Sequence, residues 1–537
     1  MKRIVLALCL LLAWPVLGHA LPRIAVVSVE LAQQPNLMAA AAERVKDRMR
    51  VDLFGLGGGL LPSAAGVDLG AYDLVVVEGV GAKLVDFREA IARARSRTTI
   101  IVVNGERWVQ GNVALKDHPW IPLYWANATV DNDSQLLVYL GKHFLHLSEQ
   151  PRAPVEYPNL AFYHPAASQP FATLSGYLAW AALKIPDTAL RPRIGLVFYR
   201  SLVLADNAAV VDALIHDIES RGGLPVPLWR KDSAGSLAAL SDHGKPMVDA
   251  VILCAGQIDY ADHQAGVDSA RALGVPVLGC STDYTRSPPQ WESAVGGFSP
   301  DGTGSLAMSE LDGITEPTMV GARVVDAHGA AIQTPIAHQV AWRVERAMAW
   351  ARLRRLPNAR KRIVVAYYSE DGGKADIGSD PDAYLNAQSS IVELLKRLKT
   401  EGYDVGKEPI PDAATLSRRM ADEGSNIGTW APQELRKRIA GGSVALMPLA
   451  DYRRWYDTLP AAARAMTEAR WGPPPGKLMT SQGADGQPVI VIPLLRFGNI
   501  ALVPHPSWGY QQDKGALASL DALPPHHQYI AFYLWMQ

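Results

Sequence analysis

From Pro22 onward, short apolar runs alternate with longer stretches in which apolar positions recur every three or four residues. Residues 24–29, 74–77 and 100–103 read as buried strands, with a shorter strand at 51–54; residues 37–50 and 85–95 read as helices. The alternation resumes at Arg193, with strands at 194–198, 224–228, 250–253 and 275–278. Between them, residues 209–221 form an amphipathic helix stopped by Gly222 and Gly223. A third round follows Pro357, with a strand at 362–367 and a helix at 389–401. Strand and helix in alternation imply parallel strands joined by crossover helices. The fold class is therefore α/β, with several Rossmann-like parallel-sheet units in tandem.

The breaks in this pattern divide the chain. Residues 21–150 form an N-terminal α/β domain, 193–357 a second and 358–537 a third, while the proline-rich stretch 151–192 reads as a linker with one short helix at 173–183. Residues 1–20 stand apart. Lys2 and Arg3 precede an apolar run at 4–17, and Gly18-His19-Ala20 offers a small-residue cleavage site after Ala20. The run is too short and wrongly flanked to span a membrane. The expectation is a secretory signal that takes Cys9 with it, an exported and periplasmic mature chain, and no transmembrane span. A retained anchor on a cytosolic protein is the alternative.

Composition narrows the function. A formal net charge of −1 over 537 residues argues against nucleic acid as a partner, which needs a basic face. Three cysteines exclude a disulfide-dense scaffold. Cys254 and Cys280 each fall at the C-terminal end of a predicted parallel strand. If those strands are neighbours, the sulfurs come within disulfide or joint metal-ligand reach; two small buried apolar side chains is the other reading. The glycines at 55, 57, 58 and 59 lack dinucleotide spacing, and no phosphate loop, nucleophile elbow or zinc-protease helix occurs, so no ATP site is expected. The acidic loop with Asp371, Asp376, Asp380 and Asp382 does not fit a calcium loop. The helix at 339–356 carries Arg343, Arg346, Arg352, Arg354 and Arg355, which reads as a solvated face. Asn127-Ala128-Thr129 matches a glycosylation acceptor.

The chemistry concentrates near residue 500. Strands at 488–492 and 500–503 frame a loop with Arg496 and Asn499; a second loop carries His505, Trp508, Tyr510 and Asp513. His526 and His527 then precede an aromatic helix-like run at 529–535. A guanidinium, imidazoles and flat rings on loops after strands suit a planar, anionic, metal-binding ligand. Alternatively, Trp508, Tyr510 and Trp535 are core and the histidines cap a helix.

The wording of this stretch, RFGNIALVPHPSWGY followed by PPHHQYIAFYLW, resembles the large subunit of cobaltochelatase (CobN) and the porphyrin-binding H subunit of magnesium chelatase. Upstream, the phrase IGLVFYRSLVLADNAAVVDALIHDIESRGG, the YW and LLVYL pattern at 124–140 and Trp471-Gly472-Pro473 echo the same family in the same order. The resemblance implies a tetrapyrrole ligand, corrinoid or porphyrin, with divalent cobalt or another metal, in cobalamin biosynthesis or in metal or tetrapyrrole acquisition. It assigns Arg496 and Asn499 to the ring, Trp508 and Tyr510 to stacking on it, and His526, His527 and His505 to metal. The sequence departs from the family at Pro504 and His505, where Gly and Gln are usual. The family's downstream segment of His-Gly and Glu-Trp motifs has no counterpart here, so the resemblance covers the family's N-terminal part. Three readings stay open: a ring or metal binder working without ATP, part of a chelatase needing a second polypeptide, and a non-enzymatic scaffold.

Overall fold

A computed structural model describes residues 21–28, 34–55, 61–64, 66–79, 85–104, 109–233, 235–296, 307–325, 331–368, 378–380, 385–506 and 523–537. The chain divides into two compact units, Met1–Arg354 and Arg355–Gln537.

The first unit opens with β1 (Arg23–Ser28), β2 (Arg50–Gly55), β3 (Leu74–Glu78) and β4 (Thr99–Val103), all parallel in the order β2-β1-β3-β4. Every residue of β3 is buried. A strand covered on both faces by helices has no solvent face to reserve for polar residues, which is why its sequence is a continuous apolar run. The helix Gln34–Val45 and the pair Trp120–Ala126 and Val130–Phe144 pack on one face.

A larger sheet follows: β5 (Leu160–Phe162), β6 (Arg193–Tyr199), β7 (Leu224–Arg230), β10 (Ala250–Cys254), β11 (Val277–Asp283), β12 (Thr315–Val325) and β13 (Ala331–Pro335). The two-residue strands β8 (Ser241–Asp242) and β9 (Lys245–Pro246) form a separate hairpin. The order is β13-β12-β11-β10-β6-β7-β5, with five parallel strands inside two antiparallel edges. The stretch expected as a linker supplies β5 and the helix Leu174–Lys184, whose buried Tyr177 donates its hydroxyl to the Pro225 carbonyl across 2.7 Å.

The basic helix Ala337–Arg355 departs from expectation at one residue. Arg343 is fully buried, with Nη2 3.5 Å from Glu316 Oε2, while Arg346 and Trp350 donate to the same carboxylate. Arg346, Arg352, Arg354 and Arg355 are exposed; Arg343 is not part of a solvated face.

The second unit carries smaller sheets. β14 (Ile363–Tyr367) runs parallel to β21 (Ile500–Pro504), and β20 (Leu495–Phe497) is antiparallel to β21. β17 (Val444–Pro448) and β18 (Thr480–Gln482) flank β19 (Pro488–Pro493), both antiparallel, and β15 (Ser379–Asp380) pairs with β16 (Leu385–Asn386). Among the described residues β14 and β21 are the one parallel pair here, so the tandem parallel-sheet expectation describes the first unit, and the second is a mixed α/β assembly.

Candidate functional site

The helix His527–Met536 packs its Ala531 and Phe532 against Ile490, Ile492 and Val503 from β19 and β21. That packing fixes the start of the helix, where Pro524 and Pro525 end the preceding chain. His526 is the N-cap: its Nδ1 accepts the Tyr529 N–H across 3.1 Å, satisfying one of the helix's first amides. His526 and His527 are 2% and 1% exposed.

His527 is held at both nitrogens. Nε2 donates to the Gly472 carbonyl oxygen at 2.9 Å, which makes Nδ1 the acceptor for the Tyr452 hydroxyl, also at 2.9 Å. Tyr452 and Tyr456, one turn apart on the helix Leu449–Tyr456, stack at 5.2 Å and present their rings to the imidazole at 5.7 and 5.1 Å. Burial pushes the His527 pKa below its ordinary value, favouring the neutral ring.

A cleft of about 330 Å³ opens beside these histidines, walled by Trp471 and His526 with Arg470, Lys477 and Pro475 around it. Trp471 ends the helix Ala461–Trp471; its Nε1–H donates to the Pro524 carbonyl at 2.7 Å, and its ring meets His526 edge-to-face at 5.6 Å. The guanidinium of Arg470 lies 5.2 Å from the Trp471 ring centre. Flat apolar surface with exposed cations at its margin can take a planar ligand with acidic substituents.

The structure separates the residues that the sequence grouped. Arg496 is exposed on β20, opposite Ala501, so it lies on a strand and not a loop. Asn499 closes the β20–β21 hairpin and donates to the Ala359 carbonyl at 3.0 Å. Both sit at the N-terminal end of β21, while His505 follows its C-terminal end, roughly 13 Å from the level of Arg496 and roughly 20 Å from Asn499 at about 3.3 Å per strand residue. His505 bonds through Nε2 to the Tyr533 hydroxyl at 3.0 Å and packs on Tyr529 and Phe532. Trp508, Tyr510 and Asp513 lie outside the described residues, as do Asp371, Asp376 and Asp382.

The metal assignment to His505, His526 and His527 does not fit these positions. The Nδ1 of His526 caps a helix, both nitrogens of His527 are bonded to protein, and among the described residues no three His, Cys, Asp or Glu side chains group to hold a metal ion. The helix-capping alternative describes His526. Trp471, Arg470 and Lys477 had no chemical role in the sequence reading; the only signal for them was the Trp471-Gly472-Pro473 echo.

Cys254 and Cys280 form a disulfide, with Cα atoms 4.5 Å apart. Leu253 pairs with Gly279 in the β10–β11 register, so the next residue of each strand is a cysteine at the same edge. Asn127, the glycosylation candidate, is buried: its Oδ1 accepts from Tyr157 N at 3.0 Å and its Nδ2 donates to the Leu123 carbonyl. Among the described residues no helix is long and apolar enough to cross a membrane.

An α/β chain with a stacking cleft at a helix N-terminus is the class this geometry defines, and comparison with known proteins places it. The family described as CobN/Magnesium Chelatase matches residues 123–537. The chain belongs to the CobN/magnesium chelatase family. The H subunit of magnesium chelatase from Rhodobacter capsulatus is 26% identical over 447 residues, covering 77% of this chain and 34% of that protein. The aerobic cobaltochelatase subunit CobN of a Sinorhizobium species is 29% identical over 365 residues, covering 64% of this chain and 27% of that protein. The catalytic subunit of cobaltochelatase from Mycobacterium tuberculosis superposes with a TM-score of 0.60 at 24% identity, over 96% of this chain and 41% of that one, a likeness of fold. The chain spans about a third of the length of the curated relatives it matches.

Proposed function

We propose that this chain is an exported tetrapyrrole-binding protein that takes an anionic corrinoid or porphyrin in the cleft beside Trp471. The observation that carries the reading is the indole of Trp471, locked by its bond to Pro524, with the cations Arg470 and Lys477 at the same cleft. Family membership supports a tetrapyrrole as the ligand class. Stacking on the indole face supplies area, and the cations pair ring carboxylates. Binding of this kind requires no ATP.

Export is supported by the signal-like segment at 1–20 and by the Cys254–Cys280 disulfide, a bond that persists in oxidising compartments. In that setting the role is acquisition or carriage of a ring in metal or cobalamin metabolism.

A visible-absorbance titration of the mature chain with metal-free and metallated porphyrins and corrinoids tests this. The expected result is saturable binding with a shifted absorbance band, weakened on the order of tenfold in an Arg470→Ala/Lys477→Ala variant. Absence of saturable binding to every ring overturns the proposal.

A further inference from the structure

The first unit holds a second cleft, of about 350 Å³, between its two sheets. It is lined from the smaller sheet by Glu78 at the end of β3 and Asn104 just past β4, and from the larger by Tyr199 and Arg200, by Arg230 and Lys231 at the end of β7, and by Tyr284 just past β11. Each of these positions is a carboxyl end of a parallel strand. In both sheets the chain reverses its direction of strand addition here: β2 and β3 leave β1 on opposite sides, as β7 and β10 leave β6. Open α/β sheets bind ligands in the crevice at that reversal.

The charges lining the cleft point to the kind of ligand. Arg230 is fully buried and Arg200 nearly so, and among the described residues neither makes an ion pair with a carboxylate. Their terminal nitrogens are spent on neutral oxygens: Arg230 on the carbonyls of Ala255 and Ile258, Arg200 on those of Ala126, Tyr157 and Pro158. Such bonds hold the guanidiniums rigid but bring no carboxylate into contact with their charge, and Arg230 Nε has no hydrogen-bond partner. Buried cations are costly unless neutralised. With the exposed ammonium of Lys231, three cations line this cleft against one lining carboxylate, Glu78, which accepts from Ser28 Oγ at 2.7 Å; outside the lining, Asp232 acts on Arg200 and Asp259 on Arg230 without an ion-pair contact. Asn104 holds a left-handed backbone, φ +49°, at the cleft wall, and strained positions of this kind gather at ligand sites. Trp125 and Leu202 supply an apolar side.

We propose that this cleft binds a small organic oxyanion, a carboxylate or a phosphate ester, whose charge completes the arginine pair and whose carbon skeleton rests on Trp125 and Leu202. The two guanidiniums provide a fixed field. Lys231 and the Tyr284 hydroxyl, which already accepts from Gln333 Nε2 at 3.4 Å, are the donors able to move onto the ligand. The site lies in the other unit from the Trp471 cleft and does not depend on the tetrapyrrole reading.

The test is isothermal titration calorimetry of the full mature chain with sodium succinate, sodium citrate and inorganic phosphate in separate arms, at constant ionic strength. The carboxylate and phosphate arms distinguish the two sources of the oxyanion. Saturable heat in at least one arm is expected. Lys231→Glu, on the rim, weakens it on the order of tenfold, and Ala128→Trp, which fills the cleft, abolishes it, while both variants keep the wild-type circular dichroism. The Arg470→Ala/Lys477→Ala variant binds the same probe as wild type does. No saturable heat with any probe, or binding that survives both cleft variants unchanged, overturns the proposal.

Discussion

The hydroxyl of Tyr452 and Nδ1 of His527, 75 positions apart, meet at 2.9 Å in the core of the second unit. The bond sets the imidazole tautomer, because Nε2 must then carry the proton that goes to Gly472. An imidazole so placed is a neutral structural link between two helices and the turn at Gly472.

A pH dependence follows from its burial. The pKa of His527 in the folded chain lies below the ordinary 6.5, so below pH 6.5 the unfolded chain takes up a proton that folded His527 refuses. Its contribution to stability is present above pH 6.5 and is lost as pH falls toward the folded value. The urea midpoint of the wild-type second-unit transition should drop between pH 7.5 and 5.5 more than that of His527→Gln. Equal drops in the two proteins would show that His527 is freely protonated in the fold.

Glu316 gives the opposite kind of group in the first unit. Arg346, Trp350 and Arg343 hold its carboxylate down to about 2, from an ordinary 4.5, despite a left-handed backbone at φ +50°. A depressed carboxylate stabilises fully above pH 4.5 and loses that contribution as pH falls toward 2. The shift corresponds to roughly 3 kcal/mol. Glu316→Gln should lower first-unit stability by about that amount at pH 7, with the deficit against wild type narrowing by pH 3. A deficit that stays constant with pH would mean that the ion pairs are not its source.

These two cases mark what the sequence makes legible. β1, β3, β4, β6, β7 and β10 are apolar runs whose pattern survives folding because helices cover both faces of their sheets. β20 is three residues long, with Leu495 and Phe497 buried and Arg496 exposed between them; an alternation that brief is indistinguishable from a loop. Arg343 shares its helix with exposed arginines, and what buries it is Glu316, 27 residues earlier on another element. The site shows the same division. His526 as a cap is local and readable from its place before an aromatic helix. Trp471 joins it through a hydrogen bond to Pro524, 53 positions away, and a ring contact with His526, neither of which a spacing rule anticipates.

The Cys254–Cys280 bond closes a loop of 26 residues at the carboxyl edge of the larger sheet. Chain-entropy reasoning puts its worth at about 3 kcal/mol. Cys254→Ala/Cys280→Ala should lower first-unit stability by that order, and mass spectrometry of the alkylated wild-type mature chain should find no modified thiol without reductant. Two alkylated cysteines in the protein isolated from its native cells would place it in a reducing compartment and overturn the proposal of export.

Gly476 tests the wall of the cleft beside Trp471 without removing either of its cations. Its φ of +72° is left-handed, and a Cβ there would stand 3.0 Å from His527 Cδ2 and 3.4 Å from the Trp471 carbonyl oxygen. An alanine at this position meets both a backbone penalty and a ring that cannot retreat, since Tyr452 and Gly472 hold His527 on either side. Gly476→Ala should cost about 1–2 kcal/mol of second-unit stability and displace the turn that carries Lys477. Tetrapyrrole affinity should fall with it, read by the same absorbance titration, while Lys477→Ala alone should weaken binding with stability unchanged. If Gly476→Ala destabilises the unit yet binds rings as wild type does, the cleft beside Trp471 is not where the ring sits.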